Sequence, residues 1–372
     1  MRRLPLLSVT FAFAAFAYSN SAAAAAPEAP LAPVNTSLLQ GNPAAPTSID
    51  DVLLVPSASA GQKAAAFEWA DGNNTQAYVL WNNIFAAAQY TPGKSDSAAQ
   101  AQTAASFGVA TPGFGVGITL AYRDYTTDSV NANKANTYYK FSQVKLFASA
   151  STPALDVYGS LVWAKPTNNY WAENDGDNGQ YYTRTDSVML QVGARHAPAA
   201  GAQGLAWNAN LSAGYEYYRI SNYNKGNYLW LASLYGQVGY AFFVDGINFL
   251  PGLDVYLGYA NGKDDPDYGF VVGAAPSLAI SVPVFEHWTL VGGAKYNVYQ
   301  TLIDEAAGSS SAYYDQGLIT NTTGSLGLRY VRDRWAIEAQ VANTFLSNGP
   351  YIVSGASTTG LLASLGFTVN LK

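Results

Sequence analysis

Cysteine is absent from this 372-residue chain, histidine and methionine occur twice each, and charged residues make up only 12%. Without cysteine there is no disulfide framework, no thiolate metal site, no cysteine nucleophile and no lipid-modified N-terminal cysteine. Two histidines, His196 and His287, exclude a multi-histidine metal centre. With 19 basic against 25 acidic residues and no basic stripe, the chain is not a nucleic-acid binder. Beyond residue 26 no stretch reaches the roughly 18 apolar residues that a membrane-spanning helix requires.

What is there is apolar and aromatic: 49% hydrophobic residues, 14% aromatic, with 27 Tyr and 34 Gly. A soluble globular domain carries about 25% charged residues, so half that share points to an unusual solvent, and so apolar a composition is not that of a disordered chain. Arg2 and Arg3 precede the apolar run Leu4 to Ala17, and Ser19 to Ala26 is a tract of small residues. This reads as a secretory signal peptide over residues 1–26, too short and wrongly flanked for a membrane anchor. Its removal leaves 17 of the 19 basic residues against 25 acidic ones, a charge of about −8. An exported, apolar chain without a spanning helix has one other way to satisfy its backbone in lipid, which is a closed β-barrel.

Period two runs through the chain from about residue 76. In Leu205 to Tyr217, residues Leu205, Trp207, Ala209, Leu211, Ala213, Tyr215 and Tyr217 share one face, while Asn208, Asn210, Ser212, Gly214 and Glu216 share the other. Successive strand side chains point to opposite faces, so this is one apolar wall and one wet wall. Val188, Leu190, Val192 and Ala194 alternate in the same way with Gln191, Gly193 and Arg195, and Leu365, Phe367, Val369 and Leu371 with Gly366, Thr368 and Asn370. The pattern predicts an all-β, antiparallel up-and-down transmembrane β-barrel of about fourteen strands over 76–372, with twelve or sixteen as alternatives. A pairing of Ala64 to Ala70 with the segment after Asp71-Gly72 is what leaves those alternatives open.

Tight joins at Ser151 to Pro153, Pro283 to Glu286 and Asp333 alternate with long polar joins at 127–137, 166–182, 262–267, 304–316 and 347–359. Short periplasmic turns and longer outer loops are the habit of such barrels. Aromatic residues concentrate at membrane interfaces, which places Trp207, Trp288 and Trp335 at the periplasmic rim and Trp163 and Trp230 at the opposite rim.

In these features the chain resembles Gram-negative outer-membrane β-barrel proteins and, more loosely, porins, through its alternating strands and amphipathic last strand. The resemblance implies residence in the outer membrane, with lipid and lipopolysaccharide as partners. Homo-oligomerisation stays open.

The wet face carries the charged residues Arg123, Lys145, Asp156, Arg195, Glu216, Asp254, Lys295, Arg329 and Glu338. Their sorting onto one parity fits a lumen, since a basic residue facing lipid at midplane costs about 2–4 kcal/mol. They either set the ion preference of a water-filled path or brace a narrow barrel by pairing. Inward Gly193, Gly214, Gly239, Gly258 and Gly327 either widen that path or mark strong curvature. In the outer joins, Glu173, Asp175 and Asp177, then Asp264, Asp265 and Asp267, then Asp304, Glu305 and Asp315, form acidic clusters. Carboxylates at such spacing bind calcium or merely face solvent, and Glu173 to Gly179 lacks the terminal bidentate Glu of a helix-loop-helix site.

No cofactor or resident metal is expected, and no enzyme, because both histidines fall in periplasmic turns. Residues 27–75 read as a periplasmic lead or a plug, with one apolar run, Val52 to Val55. Asn42-Pro43-Ala44 is similar to a tripeptide in the N-terminal hatch of the long-chain fatty-acid transporter family, a resemblance that implies uptake of hydrophobic compounds. The function expected first is passive diffusion of small hydrophilic solutes. The alternatives are that hydrophobic uptake, or a structural or adhesive surface barrel without conductance.

Overall fold

The structure is a computed structural model that describes residues 49–372 except 71–73, 92–101, 129–135, 153, 172–179, 197, 199–201, 221–225, 263–267, 305–316, 342–361 and 372. The expected signal peptide, the Asn42-Pro43-Ala44 tripeptide and nearly all of the acidic loop residues lie outside the described residues. So do the side chains at several strand ends, that of Arg123 among them.

Helix α1 (Ile49–Leu54) and a 3-10 turn (Pro56–Ser59) come first. Sixteen strands follow: β1 (Gln62–Ala70), β2 (Asn74–Asn82), β3 (Ile84–Thr91), β4 (Gln102–Thr111), β5 (Phe114–Asp128), β6 (Asn136–Ser151), β7 (Asp156–Trp171), β8 (Gln180–His196), β9 (Gly204–Ile220), β10 (Gly226–Val244), β11 (Ile247–Gly262), β12 (Tyr268–Phe285), β13 (Trp288–Asp304), β14 (Gly317–Arg332), β15 (Trp335–Val341) and β16 (Leu362–Asn370). Each pairs antiparallel with its sequence neighbours, and β1 pairs with β16 from Ala64↔Asn370 to Ala70↔Ser364, which closes the wall.

The all-β up-and-down barrel is as the period-two pattern requires, but the strand number is the sixteen given as an alternative rather than about fourteen. Two local features account for the difference. The alternation that begins near residue 76 hides a chain reversal: β2 and β3 are separate strands, split by a turn at Asn82 and Asn83, with Asn82 in the left-handed region at φ 56°. The barrel begins at Gln62 rather than residue 76, because the middle of β1 offers no polar–apolar contrast: Ala64 and Ala66 face inward and Ala65 outward. On the loop side several strands run farther than expected, β7 to Trp171 and β8 from Gln180.

Both ends of the wall and the seven connections from β2–β3 to β14–β15 lie at one mouth. The turn chemistry there fits the geometry. Asp245 and Gly246 have φ 51° and 81°, the pair of positive values that a two-residue type I′ hairpin needs. Asp333 has φ 52° in the β14–β15 turn. The alternate connections lie at the other mouth, mostly outside the described residues.

The outward parity is apolar along the middle of every well-described strand: Leu190, Leu211, Leu234, Val255 and Leu278 are about half exposed side by side around the wall. So broad an apolar exterior exceeds what a water-soluble surface carries. Among the described side chains, outward charges occur only near the strand ends: Lys63 and Arg332 at the short-turn mouth, Lys165 and Asp186 toward the other. Lys63 Nζ lies 5.4 Å from the centroid of the Trp81 ring, its stem along apolar surface and its ammonium at the rim. Among the described residues no helix is long and apolar enough to cross a membrane. The strands cross it instead, and the chain is an outer-membrane β-barrel.

This orientation predicts a depth-dependent penalty. Leu211→Arg, at the middle of β9, is expected to destabilise the barrel in phospholipid vesicles by about 2–4 kcal/mol, and Val244→Arg, beside the short turn, by about 0–1 kcal/mol. Denaturant unfolding followed by tryptophan fluorescence checks it. Equal costs at the two positions would place the outward face in water.

Candidate functional site

The inner face is a candidate site built by register alone. Inward positions recur every second residue, and antiparallel pairing sets them in rows around the wall. One row joins Arg195, Asn208, Gln237 and Asp254 across β8 to β11, and the row above joins Gly193, Asn210, Tyr235, Tyr256 and Gly273. Most of these side chains are buried, Asn210 at 4% exposure and Asp254 at 3%.

Six of the charged residues on this face form three pairs. Asp156 and Arg195 stand opposite each other on β7 and β8, with Arg195 Nε donating to Asp156 Oδ2 at 2.9 Å. Arg329 and Glu338 stand opposite on β14 and β15, with Arg329 Nη2 2.7 Å from Glu338 Oε2. Lys295 on β13 reaches over β12 to bond Asp254 on β11, which also accepts the Tyr235 hydroxyl at 3.0 Å. Lys145 is buried, its Nζ 5.8 Å from the Phe147 ring centroid. Glu216 faces inward on β9, where its carboxylate is half-buried. Arg123 lies on β5 opposite Gln102, its side chain outside the described ones. One inward carboxylate escaped the sequence reading: Glu68 accepts from Gln76, which in turn accepts from Gln89 at 3.2 Å, linking β1, β2 and β3. Its strand lies in the stretch 27–75 that reads from sequence as a lead or a plug, where no lumen-facing parity is expected.

Long inward side chains lie flat along the wall rather than projecting across it. The Tyr158 ring covers Gly193, where a Cβ would sit 2.5 Å from the ring, and its hydroxyl donates to Asn208 Oδ1 at 2.6 Å. Tyr299 covers Gly273 and donates to Asn297 at 3.2 Å, while Phe147 covers Gly117. Gly193 thus serves as a bed for a ring rather than widening the lumen. Gly239 instead meets backbone, a Cβ there lying 2.9 Å from the Pro251 carbonyl oxygen. Shorter partners bond in register, Ser106 with Thr119 at 2.8 Å and Ser212 with Ser233 at 2.9 Å.

The inner face is not wet throughout. At the short-turn mouth Ala64, Tyr78, Leu80, Phe85, Ala87 and Phe147 form an apolar hollow on β1, β2, β3 and β6, filled by Val52 and Leu53 of α1. The following 3-10 turn is pinned by Ser57, whose N–H donates to Ser149 Oγ at 3.0 Å and whose hydroxyl lies 2.6 Å from those of Ser149 and Ser151. Gly115 makes room for it: a Cβ there would be 2.5 Å from Ser57 N. The segment 49–59 therefore sits inside the barrel as a plug against one side of the mouth. A smaller apolar patch, Ala206, Ala241, Leu250 and Ala279 with Phe243, lines β9 to β12 at the same end.

Of the interface aromatics, Trp163, Trp230, Trp288 and Trp335 are outward and exposed, with Trp207 half-buried. Trp288 packs on Tyr330 at 4.8 Å, Trp335 on Phe367 at 5.0 Å and Trp230 on Tyr215 at 5.7 Å between ring centroids. Trp207 and Tyr215 stand about eight residues apart on β9, roughly 20 Å along the barrel axis for a tilted strand, close to the height of an apolar band. Trp163 and Trp230 thus mark a belt partway up their strands. Lys165 and Asp186 lie just above it. His196 Nδ1 is 2.6 Å from the Ala154 carbonyl oxygen, and His287 packs edge-on against Tyr330, both at the short-turn mouth.

No protein-family model and no curated protein matches the chain. Among solved structures it is similar to the ferric preacinetobactin receptor BauA of Acinetobacter baumannii, at 12% identity over 75% of this chain and 53% of that one, with a TM-score of 0.46. CdiB from Acinetobacter baumannii gives 13% identity over 83% of this chain and 59% of that one, with a TM-score of 0.42. CdiB from Escherichia coli gives 12% identity over 83% and 62%, with a TM-score of 0.44. The chain thus spans less than two thirds of the length of each.

The Lys295–Asp254 pair predicts a non-additive response. Lys295→Met leaves a carboxylate with 5% side-chain exposure without its cation, and is expected to cost about 3–5 kcal/mol. Adding Asp254→Asn to that variant is expected to recover part of the loss. Unfolding free energies of the two single variants and the double variant measure the coupling, and additive losses would mean that the pair contributes nothing.

Proposed function

We propose that the barrel is a passive diffusion pathway for small hydrophilic solutes across the outer membrane, with segment 49–59 restricting its short-turn mouth. The observation that carries this reading is the polar, charge-paired lining at mid-height within a closed wall of sixteen strands. Barrels of that strand number leave an aqueous channel where smaller ones are filled by their own side chains. The acidic, aromatic joins of the far mouth would meet lipopolysaccharide, and no catalytic role is assigned to the barrel.

A second reading has one specific observation in its favour. The hollow lined by Leu80, Phe85 and Phe147 is apolar on the inner face. Uptake of hydrophobic compounds would use such a hollow once α1 withdrew. Native mass spectrometry that finds an alkyl-chain molecule retained in the lumen would favour it over diffusion.

Planar-bilayer recording tests the first reading. Conductance steps are expected from the full chain, and their absence from correctly folded barrel would overturn it. Gly115→Val drives its side chain into the Ser57 backbone and is expected to dislodge the plug and raise unit conductance, while the barrel keeps its gel-mobility shift on heating.

A further inference from the structure

Among the described residues, every buried side-chain nitrogen or oxygen that lacks a hydrogen-bond partner lies on four consecutive strands, β9 to β12. Four of these atoms, Asn210 Oδ1, Gln237 Oε1, Asn248 Oδ1 and Asp254 Oδ1, only accept, while the Tyr256 hydroxyl and Ser277 Oγ both accept and donate; Asn248 lies three rows from Asp254, toward the short-turn mouth. Polar groups spread more evenly would show no such grouping. Elsewhere on the inner face the wall satisfies itself, as in the serine, threonine and glutamine bonds of β1 to β8. Leaving a buried acceptor unpaired costs about 1–3 kcal/mol, so this panel gains most from a partner that donates.

We propose that the β9–β12 panel binds an uncharged, hydroxyl-rich solute of the saccharide class on its way through the lumen. Acceptor-only atoms outnumber hydroxyls among them, and those of Asn210, Gln237 and Asp254 stand on two adjacent rows, which favours a ligand with several donors in a small volume. The panel does not call for a cation: the other carboxylate oxygen of Asp254 already bonds Lys295 and the Tyr235 hydroxyl, so its charge is balanced. Beside the acceptors stand the partly exposed rings of Tyr235, Tyr256 and Tyr299, with Tyr256 and Tyr299 edge to face at 6.5 Å. Such rings offer apolar faces to the C–H side of a sugar ring while polar groups take its hydroxyls. Gln237 stands opposite Asp254, and Asn210 opposite Tyr235 one row above, so donors a few ångströms apart on one ring meet acceptors on both rows. Beneath these two rows the β10–β11 ladder is unbroken from Leu229↔Gly262 to Gly239↔Gly252, and the β9–β10 and β11–β12 ladders continue on either side.

The proposal rests on the diffusion reading only for how the solute arrives, so binding and conductance are measured separately on the full chain folded in detergent. Calorimetric titration with maltotriose is expected to show saturable binding, and titration with a polyethylene glycol of equal mass, which has donors only at its ends, is expected to show none. Gln237→Met with Asn210→Leu is expected to weaken maltotriose binding about tenfold, as the loss of two hydrogen bonds implies. Ser106→Ala, on the opposite wall, is expected to leave it unchanged. Should the double variant fail to fold, Gln237→Met alone is read for a loss of about threefold to fivefold. Equal binding of the two probes, preferential binding of spermidine, or undiminished maltotriose binding in a folded variant would overturn the proposal. Maltotriose binding without conductance would retain the panel and remove the diffusion reading, whereas conductance without maltotriose binding would do the reverse.

Discussion

Closure of the hydrogen-bond ladder between β1 and β16 is the constraint on which the remaining structure depends. In hydrocarbon an unpaired backbone group has no water to turn to, and each costs several kcal/mol, so an open edge of nine residues on either side would not persist in a bilayer. The seam runs from Ala64↔Asn370 to Ala70↔Ser364 and is extended by Leu371 N–H donating to the Lys63 carbonyl oxygen at 2.8 Å. Once it is shut, every strand has two neighbours and every side chain one of two destinations. Alternation then decides the sorting of Leu211 toward lipid and Ser212 toward the lumen.

Closure also explains which parts of the fold are legible in the sequence. Strands β7, β8 and β9 announce themselves because their inward residues are Asp, Gln, Asn and Ser while their outward residues are Val, Leu and Trp. The seam strand β1 does not. Its inward Ala64 and Ala66 are small and apolar because the plug packs against them, so the contrast that marks a strand is absent where the wall is completed. Strands β2 and β3 suffer the same erasure, with Leu80 and Phe85 inward against α1, and the Asn82–Asn83 turn between them is buried in what reads as one long alternation. A plug inside a barrel thus hides the strands that hold it, and Glu68 was lost with them.

Register-dependent features were out of reach for a different reason. The parity of Asp254 and Lys295 can be read from each strand alone, but their pairing over the intervening β12 depends on the offset between three strands, which no single segment encodes. The same holds for Tyr158 reaching Asn208 across Gly193. Sequence shows a glycine facing inward, and only the neighbouring register shows that a ring lies on it. The apolar hollow at the short-turn mouth combines both difficulties, being assembled from residues 64 to 147 on four strands.

The distribution of charge bears on what such a lumen discriminates. Three ion pairs are spaced around the wall, on β7 and β8, on β11 and β13, and on β14 and β15, each closed at hydrogen-bond distance. A pair so close presents a dipole rather than a net charge, and its field fades faster with distance than that of a lone ion, faster still through salt solution. A wall lined this way differs from rings of one sign, which select ions by long-range attraction. On the proposed pathway, discrimination therefore falls to short-range contacts, steric fit at the plugged mouth and hydrogen bonding at the lining. These act only on a solute already against the wall, which is where the unpartnered acceptors of β9 to β12 stand.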